Sequence, residues 1–133
     1  MNRAFVDTAG WYAYIRADDP DHPPVMEAFE RREGRLITSS FVFDELVTLV
    51  RGRLGHKAAV KVGETLRSPD VVELVRLSVE DEEQAWLLFS EHTDKDYSFT
   101  DCTSFVLMHR LGLAVAITTD HHFQQAGFRT DPE

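Results

Sequence analysis

The sequence predicts an α/β fold built from βαβ units around a mainly parallel sheet. Three observations lead there. Strand-like apolar runs alternate with segments of helical periodicity along the 133 residues, the pattern of successive βαβ units. The run Ala114-Val115-Ala116-Ile117-Thr118 is apolar without alternation, as expected of a central strand of a parallel sheet. Capping residues and Gly or Pro breakers fall between these segments. The length suits a single domain, 1–133, built on one core.

Ala4-Phe5-Val6 forms the first strand. Ala9 to Arg16 follows as a helix, and Asp18 to Pro24 breaks it, because proline cannot continue a helix interior. Pro23 and Pro24 instead open a second helix, Val25 to Arg32, which Gly34 ends. Leu36-Ile37-Thr38 is the second strand, and Ser39 or Ser40 caps the helix carrying Glu45. Gly52 and Gly55 separate that helix from another, about His56 to Leu66. Val71 to Leu77, interrupted by Glu73 and Arg76, fits an edge strand. Ser78 and Asp81 form a capping box for a helix running to His92. Ser98 opens the helix Phe99 to Leu111, apolar on several faces and therefore deeply packed. Gly112 with Leu113 gives a Schellman stop, and Phe128 to Thr130 is a short last strand.

Composition narrows the function classes. A hydrophobic fraction of 43% with nine Phe, three Tyr and two Trp describes a folded globule rather than a disordered acidic chain. A single cysteine, Cys102, allows no internal disulfide and fits a reducing compartment; inside an apolar helix it is an inert buried thiol. With no long apolar leader and no membrane-length apolar stretch, a cytoplasmic protein without a membrane partner is expected. The net charge of −9 disfavours non-specific nucleic-acid binding. The charge is uneven, however: between Arg51 and Arg67, five basic residues face only Glu64. Such a face suits one anionic partner held in one place, and equally an ordinary solvated helix.

The chemistry lies in carboxylates. There is no phosphate-binding glycine loop, paired-cysteine zinc spacing, helical zinc-protease motif or nucleophile elbow. Asp7, Glu45, Asp101 and Asp120 each stand where a strand-like run gives way to a helix or turn. Strand ends of an open parallel sheet converge on one crevice, where four carboxylates repel unless protons or divalent cations join them. Hard oxygen donors suit Mg²⁺ or Mn²⁺, ions that polarise a phosphoryl oxygen and activate water for phosphodiester hydrolysis. Singly, each acid has a plain explanation: Ser98 to Asp101 is a capping box, Asp7 and Asp120 suit caps or turns, and Glu45 suits an exposed helix face. Jointly placed at the ends of different segments, they are better explained by one site.

These segments resemble the PIN-domain ribonucleases, particularly the VapC-type toxins of bacterial toxin–antitoxin pairs. The resemblance spans nearly the whole chain. It is carried by Phe5-Val6-Asp7-Thr8, by Thr38-Ser39-Ser40 leading to Asp44-Glu45, by Asp96 to Cys102, and by Ile117-Thr118-Thr119-Asp120-His121-His122-Phe123. It implies a PIN-like three-layer sandwich, a mainly parallel central sheet flanked by helices, together with metal-dependent endoribonuclease activity and Asp7, Glu45, Asp101 and Asp120 as the acidic, metal-binding and catalytic quartet. It also implies an RNA substrate, a cognate antitoxin and a homodimer. Thr8, Ser98 and Thr119 flank three of the acids and are expected to orient carboxylates or water. Asp96 is expected in a turn. His121 and His122 are left out of the ligand set, because hard ions prefer oxygen. Arg51, Arg53 and Lys57 are the candidates for holding the RNA backbone, while Trp11, Tyr12 and Tyr14 are assigned to core packing or a dimer face. The alternatives are a solitary housekeeping nuclease, a receiver-like phospho-acceptor, which normally shows paired acids after its first strand, and a non-catalytic partner-binding module.

Overall fold

The computed structural model describes residues 3–133. In chain order the elements are β1 (Ala4–Val6), α1 (Thr8–Ile15), α2 (His22–Arg31), β2 (Leu36–Ser39), α3 (Ser40–Leu54), α4 (His56–Leu66), β3 (Glu73–Val75), α5 (Val79–Glu91), α6 (Phe99–Leu111), β4 (Val115–Ile117), α7 (His122–Gln125) and β5 (Arg129–Asp131). The strands form one sheet in the order β3-β2-β1-β4-β5, and every neighbouring pair is parallel. Phe5 sits beside Ile37 on one side and Ala116 on the other. This is the predicted α/β sandwich, with helices flanking an all-parallel sheet.

Its core follows from the apolar runs. Phe5, Ile37 and Ile117 are at most 1% exposed, and burying each side chain contributes roughly 2 kcal/mol. Trp11 is fully buried and packs edge-on against Tyr14 and Phe29. Its indole N–H donates to the Thr38 hydroxyl, which in turn donates to the Val6 carbonyl. That chain of bonds fixes α1 over β1 and β2. Gly10 fixes it on the other side: a Cβ there would lie 2.3 Å from the Ile117 carbonyl oxygen, so only glycine lets α1 come this close to β4.

Several expectations shift. Gly52 does not end a helix; α3 continues to Leu54 and stops at Gly55, which has a positive φ of 98°. An exposed helical glycine costs only about 1 kcal/mol, which the packing of α3 against α4 outweighs. The predicted strand Val71 to Leu77 shortens to β3, at the sheet edge as expected. The helix α7 was not anticipated; four residues are too few to show a period. Gly112 adopts the left-handed conformation, and the Leu113 N–H donates to Met108 O, as the Schellman stop requires. Both capping boxes form, at Ser78 with Asp81 and at Ser98 with Asp101. Asp81 also makes a bidentate ion pair with Arg110, tying α5 to α6. No described helix is long and apolar enough to cross a membrane.

Candidate active site

From the middle of the sheet the chain runs outward in opposite directions, through β2 and β3 on one side and through β5 on the other. The carboxyl ends of the adjacent strands β1 and β4 therefore border the crevice where ligands bind in such sheets. Asp7 follows β1 and Asp120 follows β4, while α3 brings Glu45 and the first turn of α6 brings Asp101. All four line one cavity of about 410 Å³, together with Thr8, Ser98, Thr119 and Asp96.

Each carboxylate is held by local structure. Asp7 caps α1: Oδ1 accepts the Gly10 N–H at 2.8 Å, and Oδ2 accepts the Thr118 hydroxyl at 2.7 Å. Glu45 accepts a hydrogen bond from the Thr8 hydroxyl. Asp101 accepts the Ser98 N–H and, at 3.0 Å, faces Nδ1 of His122, both on Oδ2. Asp120 accepts the His122 N–H on Oδ1, and its own N–H donates to the Thr118 hydroxyl. Capping and site-building are thus the same contacts.

The cavity is electrostatically unfavourable to two of its own carboxylates. Burial pushes the Asp7 carboxyl up from 3.8 to about 7, against the lowering effect of its bonds to Gly10 and Thr118; the charges of Asp120 and Asp101 add to the rise. Asp101 is also raised, by burial first and then by Asp120, against its bonds to Ser98 and His122. Among the described residues, no Lys or Arg forms an ion pair with any of the four acids. A divalent cation would relieve both burial and repulsion, so the donor set fits one.

The structure differs from the sequence expectation at three places. The hydroxyl that reaches Asp7 and Asp120 belongs to buried Thr118, whereas Thr119 is exposed on the cavity wall. Positions 118 to 120 follow the end of β4, and the turn there sends the Thr118 side chain inward. His122, set aside earlier, lies between Asp101 and Asp120, and Asp120, His121 and His122 each bring one potential metal-ligating atom within 4.8 Å of the others. Tyr12 packs against the core as assigned but also lines the cavity: its hydroxyl accepts from Arg16 at 2.7 Å, and the Arg53 guanidinium lies 5.3 Å from its ring centre. Trp11 and Tyr14 do pack in or against the core. Of the basic candidates, Arg53 thus reaches a cavity residue, while Arg51 and Lys57 are exposed nearby in sequence at the end of α3 and the start of α4. Cys102 is buried, and burial pushes its thiol up to about 11, leaving it inert at neutral pH.

Fold and site converge on a known class: residues 4–129 match the PIN domain, and the chain belongs to that family. Among its relatives is the "23S rRNA-specific endonuclease VapC20" of Mycobacterium tuberculosis, 36% identical over 124 residues that cover 93% of this chain and 94% of that protein. "Ribonuclease VapC26" of the same organism is 30% identical over 119 residues, covering 89% and 87%. The crystal structure of M. tuberculosis VapC20, described as a sarcin–ricin loop cleaving toxin, superposes with a TM-score of 0.88 at 35% identity, covering 94% of this chain and 95% of that one. A DNA-bound VapBC structure from Salmonella typhimurium shares the fold, with a TM-score of 0.74 at 18% identity and coverage of 98% and 97%. Membership of this family removes the receiver-like alternative.

Proposed function

We propose that this chain is a divalent-metal-dependent endoribonuclease of the VapC type, a single nuclease domain acting in the cytoplasm as the toxin of a toxin–antitoxin pair. The observation that carries the reading is the convergence of Asp7, Glu45, Asp101 and Asp120 on one cavity, with no Lys or Arg ion-paired to them among the described residues. The names of the two mycobacterial relatives support RNA as the substrate.

In this reading Asp7, Asp101 and Asp120, with Glu45 directly or through water, would hold Mg²⁺ or Mn²⁺. Such an ion supplies Lewis-acid polarisation of a phosphoryl oxygen and a more acidic water. The chain supplies the rest. Thr118 and the Gly10 N–H set the angle of Asp7, Thr8 sets Glu45, and the Ser98 box sets Asp101. Carboxylates fixed in advance need little reorganisation when charge develops on the phosphate. Arg53, together with the exposed Arg51 and Lys57, would hold the RNA backbone, and Tyr12 would offer a ring at the cavity.

A cognate antitoxin would silence the enzyme by placing a basic side chain in this acidic cavity. A homodimer is supported by the apolar side chains exposed on α5, where Val79 is 78% and Trp86 56% accessible. The functional test is mapping of cleavage sites in total cellular RNA with Mn²⁺, 23S rRNA included. Wild type should cut at discrete sites; Asp101→Asn and chelated wild type should not. Cutting that survives either change would sink the assignment. Sedimentation of the purified chain tests the dimer, and co-expression with the product of the adjacent reading frame tests the antitoxin.

A further inference from the structure

Tyr12 carries chemistry that the acidic quartet does not use. Thr8 and Tyr12 on α1, and Glu45, Leu49 and Arg53 on α3, follow at intervals of four, the spacing that stacks successive side chains along one side of a helix. The two rows start at the Thr8–Glu45 hydrogen bond and lead away from the acids. They end where the Arg53 guanidinium stands 5.3 Å from the centre of the Tyr12 ring. Helix rise places Arg53 about 12 Å beyond Glu45 along α3. Thr8, Tyr12, Glu45 and Leu49 all line the cavity, so this wall is continuous with the site of the acids.

The Tyr12 hydroxyl is set up to donate. Its oxygen accepts Nη1 of Arg16 at 2.7 Å, while Nε and Nη2 of Arg16 hold the Asp18 carboxylate at 3.0 Å each. Arg16 is thereby spent on Asp18 and on fixing the phenol, and Oδ1 of the next acid, Asp19, accepts the Asp21 N–H. Arg53 forms no ion pair among the described residues. Arg53 first and Arg16 after it hold the phenol below its usual range, against the opposing effect of burial. A tyrosine oxygen that accepts from a guanidinium still has its own proton to give, and among the described residues no acceptor takes it. A neutral O–H donor and an unpaired guanidinium thus stand side by side, a combination that suits a phosphate oxygen. We propose that the Tyr12 hydroxyl and the Arg53 guanidinium, steadied by Arg16, form a second phosphate site on the α1–α3 wall, which grips the RNA backbone at a nucleotide flanking the cut and so selects the bond that reaches the acids. This site rests on the nuclease reading, and adds to it Tyr12 as a group that touches the substrate and Arg16 as a positioning residue.

The test uses an oligoribonucleotide spanning a cleavage site mapped in cellular RNA, with each phosphate flanking the cut replaced in turn by an uncharged methylphosphonate. In wild type, replacement at one flanking position should raise KM about tenfold and leave kcat within about twofold. Tyr12→Phe keeps the ring and its packing and removes only the hydroxyl. In it, and in Arg53→Gln, KM on the unmodified strand should rise about threefold to tenfold, and the methylphosphonate penalty at that position should shrink to about threefold or less. Arg16→Gln should also raise KM with kcat held, because the phenol loses its anchor; a wild-type KM there would overturn its positioning role. The exposed Arg76, next to the edge strand β3, is the charge control, and Arg76→Gln should change neither KM nor the penalty. A penalty undiminished in Tyr12→Phe, or a loss of kcat with KM unchanged, would overturn the proposal while leaving the nuclease reading standing. If wild type cuts no such strand, the nuclease reading falls and the second phosphate site falls with it.

Discussion

Asp7→Asn should make the protein more stable, not less, in chelator above neutral pH. Asp7 is 5% exposed, and its carboxyl is raised from 3.8 to about 7, chiefly by burial. Between those two values the folded state holds a proton that the unfolded chain has released. Stability from this group is thus fully present below 3.8 and declines as pH rises through 7. Above 7 the folded state carries the whole cost of a buried, repelled charge, about 4 kcal/mol for the gap between the two values. An amide removes that cost yet can still accept the Gly10 N–H and donate to the Thr118 oxygen, at a loss of about 1 kcal/mol in capping strength. Urea denaturation in chelator should therefore show the variant gaining on wild type by about 2–3 kcal/mol between pH 5 and pH 8. Adding Mn²⁺ should reverse the order, because only wild type binds it well. A variant less stable than wild type at pH 8, or a difference independent of pH, would mean that Asp7 serves as a charged structural cap and that the cation-site electrostatics are wrong.

Thr118→Val removes the hydroxyl shared by Asp7 and Asp120 and should weaken Mn²⁺ binding about tenfold to a hundredfold by calorimetry; unchanged affinity would assign that role elsewhere. Gly10→Ala places a Cβ 2.3 Å from the Ile117 carbonyl oxygen, so urea denaturation should show a loss of about 2–3 kcal/mol as α1 is pushed from β4. Wild-type stability in that variant would disprove the close approach. Arg53→Ala should raise KM for RNA and flatten its salt dependence while kcat holds; a fall in kcat alone would place Arg53 in the chemistry instead.

The elements that were legible in the sequence are those whose signals are local. Ala4 to Val6, Phe99 to Leu111 and the apolar run ending at Ile117 announce themselves by composition and by the Ser and Gly residues that bound them. Asp7 and Asp120 were legible for a related reason: parallel strands end on a common crevice, so acids just after β1 and β4 meet there, while Glu45 and Asp101 reach the same cavity from α3 and α6. What escaped depends on side-chain direction between distant segments. Thr118 and Thr119 look alike until the turn after β4 sends one inward, and the place of Tyr12 at the cavity, beside its packing against the core, shows only once α1 is set on the sheet. His122 meets Asp101 across 21 residues of sequence, a contact that exists only once α6 and β4 are packed.

One ambiguity in the sequence turns out to be a false choice. Capping seemed to compete with catalysis as the reason for Asp7 and Asp101. In the structure the Ser98 N–H and His122 both engage Oδ2 of Asp101, so the cap does not take up Oδ1. For Asp7, the Gly10 N–H and the Thr118 hydroxyl take one oxygen each, and each oxygen has a further lone pair. A helix N-terminus favours a negative charge beside it, which offsets part of the cost of burying the carboxylate before any cation arrives. The cap therefore supplies what a metal site needs, a carboxylate held at a fixed angle, and at Asp7 the wall of Gly10 and Ile117 keeps that angle from relaxing.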